Sequence, residues 1–225
     1  LAKSPSSSSS ARREKPLVYV PAHFRIDDVA TLRGFMRAHA FAALVTVVDG
    51  APFATHLPLL IDGEGDELVL RGHVARANPQ WRTLEDQDAL AIFSGPHAYV
   101  SPSWYTVAES VPTWNYATVH AIGRGRLLTE RTGVMDVLRR LTDGEEAHFE
   151  QPWSIDRLTD DYVDGMRRAI VAFEIPVTRL EGKYKLSQNR IPADRTGVAE
   201  ALTASGDPTA RDVALLMRAQ RGSSG

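Results

Sequence analysis

The chain contains no cysteine. That excludes a disulfide framework, a thiolate nucleophile and thiolate metal ligands. It has no basic excess either: 26 Lys and Arg against 28 Asp and Glu give a formal net charge of −2. Dedicated DNA-binding domains usually carry such an excess, so any contact with nucleic acid would rest on a local patch. No apolar run approaches the roughly 20 residues that span a bilayer as a helix, so no membrane segment is expected. The opening LAKSPSSSSSARREKP has basic residues but no apolar centre and does not read as a secretory signal. A cytoplasmic protein is the expectation. Both common phosphate loops are missing, and GRGR at 123–126 is only a fragment of one, set in a strand. There is no Gly-x-Ser-x-Gly elbow. The seven His include no HExxH, and EEAH at 145–148 reads as a solvated helix end. No metal is expected.

What is present suits one globular core: 225 residues, 43% hydrophobic and 24% charged. Residues 1–16 form a Ser-rich tail with nothing to bury, expected to be disordered. Asp27 or Asp28 is placed to cap a helix near 29–39, where Val29, Leu32, Phe35 and Met36 recur at helical spacing. The period then changes. FAALVTVV (41–48), FATHLPLLI (53–61) and ELVLRG (67–72) are strand-like runs separated by DGAP and DGEGD turns. ANPQWRTLED (77–86) reads as a short helix capped by Asn78. Strands follow at 90–95, with HAYVS read as a continuation after Pro96, and at 115–128. Helices fit 130–148 and 156–165, and RRAIVAFEIPVTRLEG (167–182) reads as the last strong strand. Two small helices over about 194–218 are split at Gly206-Asp207-Pro208. They carry too few basic residues for a convincing helix-turn-helix. Six or seven strands with peripheral helices and no regular βαβ alternation predict a mainly β, α+β fold or a barrel.

Four stretches carry candidate chemistry. THLP (55–58) puts His56 in an apolar strand; a core histidine and a site residue both fit. In RGHVARANPQW (71–81), His73, Arg76 and Asn78 sit between a strand end and a helix start. That arrangement suits an anion or phosphate, and equally an exposed turn. The 93–123 stretch holds two of the four Trp, three of the six Tyr and two of the seven His. Strand alternation there puts Trp114, Tyr116, Thr118 and His120 on one face, and Asn115, Ala117, Val119 and Ala121 on the other. The second face reads as core. The first needs a partner, a ligand or the cover of the 101–112 loop. LEGKYKLSQNR (180–190) gathers Lys183, Lys185, Gln188, Asn189 and Arg190, either as a surface loop or to recognise a phosphate or polar ring edge.

Taken in order, YVPAHF (19–24), THLP, GHVARANPQW, GPHAYVSPSWY (95–105), VPTWNYATVHAIG (111–123) and LEGKYKLSQNR resemble the PaiB family. These are FMN-binding negative transcriptional regulators, also described as protease synthase and sporulation negative regulators. The resemblance runs from about residue 17 to 218. It implies an FMN-binding split β-barrel of the pyridoxamine-phosphate-oxidase kind over 17–193, with a C-terminal helical appendage at 194–220. It also implies a homodimer with FMN between the subunits. His73, Arg76 and Asn78 then become phosphate candidates, and His56 and Leu57 would meet the ring. Trp104, Tyr105, Trp114 and Asn115 would close the pocket, partly from the partner chain. Lys185, Gln188 and Arg190 would serve either the cofactor or the interface. In place of the Ser and Lys usual near the oxidase phosphate, Val74-Ala75-Arg76 stands here, so that enzyme's substrate residues do not carry over. DNA binding follows from the family name alone. An FMN-dependent oxidoreductase or flavin reductase is the alternative, with a haem-binding or cofactor-free dimer behind it.

Overall fold

The structure, a computed structural model, describes residues 18–220; the Ser-rich tail expected at 1–16 lies outside them. After a 3-10 turn at Ala22–Phe24 come β1 (Arg25–Ile26) and α1 (Val29–Ala38). Asp28 is the cap of α1, its carboxylate accepting from the Thr31 amide at 2.7 Å. Leu32, Phe35 and Met36 are buried on the inner stripe. β2 (Phe41–Val48) and β3 (Ala51–Pro58) form a hairpin closed by Asp49-Gly50. Both turn residues have positive φ, 50° and 78°, the conformation that two-residue hairpin turns require and Asp-Gly supplies.

The next strands are β4 (Leu60–Asp62), β5 (Val69–Ala75), β6 (Asp88–Val100), β7 (Thr113–Arg124) and β8 (Arg126–Leu128). Then come α2 (Arg131–Glu146), α3 (Asp160–Arg168), β9 (Ile170–Pro176), β10 (Arg179–Lys185), α4 (Pro192–Ala204) and α5 (Pro208–Ala219). The strands make two antiparallel sheets, ordered β1-β10-β7-β6-β2-β3 and β4-β5-β9-β8. This is the mainly β architecture with peripheral helices that the sequence predicts, a split barrel, though with ten strands where six or seven are expected.

The extra strands come from segments that change sheets. FATHLPLLI divides at Pro58-Leu59, β3 staying in the first sheet and β4 entering the second. The Leu59 amide donates to Ala40 O at the crossing, 3.0 Å. The expected 167–182 strand likewise divides into β9 and β10, and its first two residues complete α3. Val177 and Thr178 bridge the gap by donating to Leu68 O and Ile122 O, at 2.8 and 2.9 Å. Gly123 lies where β7 passes over β9: a Cβ there would sit 2.0 Å from Pro176 O. This close approach is one of the places where the two sheets meet.

One continuous core fills the space between the sheets, with Phe93, Phe173, Leu44 and Leu70 fully enclosed. The terminal helices belong to it, since Val198, Leu202, Val213 and Met217 are buried in the same cluster. Among the described residues no helix is long and apolar enough to cross a membrane.

Candidate functional site

Among the described residues, no helix covers the outer face of the six-stranded sheet, whose outward side chains are exposed or half-buried. Strand register lays a row across it: His56 opposite Ala43, Ala43 opposite Ile92, Ile92 opposite His120, and His120 opposite Glu181. A second row runs His97, Tyr116, Lys185. Phe41, Val47, Tyr99 and Trp114 stand exposed here. The alternation expected after Trp114 is what the fold adopts. Trp114 is 53% exposed, whereas Ala117, Val119 and Ala121 point inward.

At one end of this face β3 meets the turn after β5. The Asn78 side chain donates to Thr55 Oγ1 at 2.8 Å and accepts from the Gln80 amide at 2.9 Å. The THLP and GHVARANPQW segments are thereby brought together. The element Asn78 caps is a single 3-10 turn, Pro79–Thr83, rather than a longer helix. Gln80, fully buried, pins that turn by donating to Leu44 O and Phe53 O, at 2.9 and 3.3 Å. His56 is exposed, its ring stacked toward Phe41 at 6.4 Å, while Leu57 points into the core. Only the backbone of Leu57 is available to a ligand on the outer face.

Arg76 is exposed, with two of its three guanidinium nitrogens committed. Nε donates to Arg168 O at 2.7 Å and Nη2 to Ile170 O at 2.8 Å, while its amide donates to Ala169 O at 2.8 Å. The side chain therefore closes the C-terminus of α3 and keeps one edge for an anion. Beside it a 190 Å³ cavity is lined by Trp81, Arg76 and Arg167. Sequence reasoning missed Arg167. It reaches this place only because β5 pairs with β9 a hundred residues later, and no local pattern announces that pairing. His73 is half-buried, and its Nδ1 is enclosed without a hydrogen-bond partner.

The remaining candidates gather at the far end of the same face. Tyr99 and Trp114 pack edge to face at 5.9 Å, and His97 lies 6.1 Å from Trp114. Arg190 stacks over Tyr105 at 4.4 Å, and the enclosed Tyr105 hydroxyl has no partner. Lys185 donates to Thr113 Oγ1. Gln188 donates to Tyr184 O and Gln220 Oε1, at 2.6 and 2.7 Å, so it fastens the end of α5. Asn115 follows the alternation rather than the pocket role implied by the resemblance: it is fully buried, donating to Ser187 Oγ at 2.9 Å beside Met217, inside the molecule and away from the aromatic face. Trp104 and Trp114 line a 570 Å³ cleft together with the α4–α5 junction.

The two ends are far apart within one chain. Seven residue steps along β6 separate Ile92, in the His56 row, from Tyr99, opposite Trp114. At about 3.3 Å per strand residue this is roughly 20 Å, longer than a flavin ring system. Between them burial lowers the pKa of His120, helped by Lys183 and opposed by Glu181. Burial alone lowers that of His73. Both imidazoles are thus biased toward the neutral form, able to accept a hydrogen bond at one nitrogen and donate at the other. A flat apolar surface with polar groups on its rim and a cation at one end fits FMN. His56 and the β3 backbone would lie beside the ring, with Arg76 and Arg167 near its phosphate.

Residues 18–179 match the family model described as "Putative FMN-binding domain". The chain is 38% identical over 201 residues to protease synthase and sporulation protein PAI 2 of Bacillus subtilis, covering 89% of this chain and 96% of that one. An uncharacterized protein of Emericella nidulans is 30% identical over 242 residues, again covering 89% and 96%. Among solved structures, the flavocytochrome Anf3 of Azotobacter vinelandii superposes with a TM-score of 0.51 at 20% identity, over 72% of this chain and 69% of that one. Conserved hypothetical protein Rv2991 of Mycobacterium tuberculosis gives 0.51 at 15% identity, over 78% and 94%. These likenesses agree with the split-barrel fold. FMN is the cofactor, and the chain belongs to the PaiB family of FMN-binding proteins.

Proposed function

We propose that this chain works as a cytoplasmic homodimer holding FMN between its subunits, and that it acts as a PaiB-like negative regulator of transcription responding to flavin or redox state. The observation that carries the dimer is the roughly 20 Å between the two candidate clusters on one uncovered sheet face. A single chain brings His56, Arg76 and their neighbours to one end, and Trp104, Tyr105 and Trp114 to the other. Two copies apposed by this face would let the aromatic end of one meet the Arg76 end of its partner. The exposed Phe41 and Val47 and the half-buried Val45 and Ile92 give that face the apolar centre a stable interface needs.

When bound, FMN supplies one- and two-electron chemistry, and the protein binds, orients and shields it. Arg76 and Arg167 would neutralise the phosphate, and the aromatic rings would exclude water from the flavin. The regulatory part rests on the resemblance to the PaiB family, an argument by analogy rather than from the site. A second reading, an FMN-dependent oxidoreductase, is favoured by His120. Its enclosed Nδ1 lacks a partner on the face where the flavin would lie, and an imidazole there would hold or pass a proton.

Ile92→Asp tests the dimer, because it puts a charge at the centre of the proposed interface. Light scattering on a sizing column should show the native chain as a dimer and the variant as a monomer with weakened FMN retention. A native monomer with full FMN occupancy would refute the shared site. Salt-sensitive binding of a promoter fragment favours the regulator, and nicotinamide oxidation that requires FMN favours the enzyme.

A further inference from the structure

β6 continues well past its neighbour. β2 pairs with it only at Leu90–Ile92, yet β6 runs to Val100. The last turn of its course therefore has one free edge, and the α4–α5 junction approaches that edge without closing on it. The 570 Å³ cleft between them is lined by His97, Tyr99, Trp104 and Trp114 on the barrel side and by Ser205 and Asp207 on the helix side. That volume falls in the range of small-molecule sites. The helix side lies beyond residues 18–179 matched by the family model, while Trp104 and Trp114 on the barrel side also belong to the aromatic end that would meet the partner.

Its chemistry is one-sided. The rings of Tyr99, Trp104 and Trp114 line it, and Asp207 is the sole carboxylate among lining side chains that include no Lys or Arg; Arg211 stands at the rim, its Nε donating to Ser205 O at 2.8 Å. One Asp207 oxygen accepts from the Thr209 amide at 2.9 Å, as the cap of α5. The group stays exposed at the cleft. Trp114 is held by Tyr99 and His97 on flanking sides, at 5.9 and 6.1 Å, and is still 53% exposed. Aromatic faces and a carboxylate both attract positive charge, and a flat wall of rings favours a flat guest. Among the residues that line the cleft there is no Lys or Arg to receive an anion such as the FMN phosphate.

We propose that this cleft binds a planar, positively charged aromatic compound, an aminated heterocycle, with its ring against Trp114 and Trp104 and its charged edge at Asp207. It would be a ligand additional to the flavin, serving as effector or electron partner.

Thionine, a flat aminated cation absorbing well to the red of FMN, is a suitable probe for the full FMN-loaded chain. Its absorbance should change with saturation at one molecule per chain, leaving the flavin spectrum and content unaltered. Trp114→Ala, at an exposed position, should weaken binding about tenfold. Asp207→Asn, which keeps a good helix cap, should weaken it several-fold while the melting temperature holds. Unsaturable binding, or affinity unchanged in both variants, would overturn the proposal. So would displacement of FMN by thionine, which would make the cleft part of the flavin site. Retention of FMN by every variant is scored separately, so failure of the cleft and failure of the flavin reading give different results.

Discussion

At the residue scale, side chains expected to serve a ligand often serve the fold first. Asn78 is the clearest: one side chain caps the turn, ties it to Thr55 and leaves no polar atom idle. Asn78→Ala should cost about 1–2 kcal/mol, read from the urea midpoint with unchanged slope. Asn78→Asp should recover the capping share but not the Thr55 bond. The histidines give a second expectation. Burial is the largest cause lowering the pKa of His39, His73 and His120, so the unfolded chain protonates these sites first as the pH falls. Stability should be complete above about pH 6.5, the ordinary imidazole value. Below it the unfolded state binds more protons, and stability is lost as the pH drops through the lowered values. His73→Gln should show a shallower loss when denaturation midpoints at neutral and mildly acidic pH are compared. Alternation along β7 correctly separated Trp114 from the core face. The same rule put Asn115 on the inner side, where its partners, Ser187 and Met217, lie 72 and 102 residues away. Partners at that range leave no mark on the local sequence.

At the scale of elements, periodicity and caps made α1, the β2–β3 hairpin and the split between α4 and α5 legible. Segments that leave one sheet for the other did not show. Each crossing carries one proline, Pro58 or Pro176, but strand-like residues continue on both sides, so a lone proline does not announce a change of sheet. Another element-scale contact is the hold on the 105–112 loop. Asp194, in the first turn of α4, accepts from the Thr106 amide and hydroxyl, both at 2.7 Å. Those bonds hold its carboxyl below the usual range, with Arg190 adding to the effect. Asp194→Ala should speed amide exchange across 106–111 by about tenfold or more, while β7 keeps its protection. Unchanged exchange in the loop would mean that Tyr105 and Arg190 alone retain it.

For the whole molecule, the terminal helices matter more than an appendage would. Val198, Leu202, Val213 and Met217 share the core with strands from both sheets. A chain ending at residue 191 should lose its near-ultraviolet circular dichroism signal and its cooperative melt, even though it keeps all of the family-matched segment. The mainly β architecture was readable from the strand runs and the lack of βαβ alternation. Which strands neighbour one another was not, because pairings such as β5 with β9 depend on the closed shape rather than on adjacent residues.

Among the described residues β1 has two positions, Arg25 and Ile26, which pair with Lys183 and Gly182 of β10. During synthesis, the earliest strand therefore waits for one of the last. Until β10 emerges and inserts between β1 and β7, one margin of the six-stranded sheet stays open on the nascent chain. Long-range closures of this kind are slow relative to local hairpins. A chain from which β10 is missing leaves the edge of β7 without its neighbour and β1 without a strand to pair with.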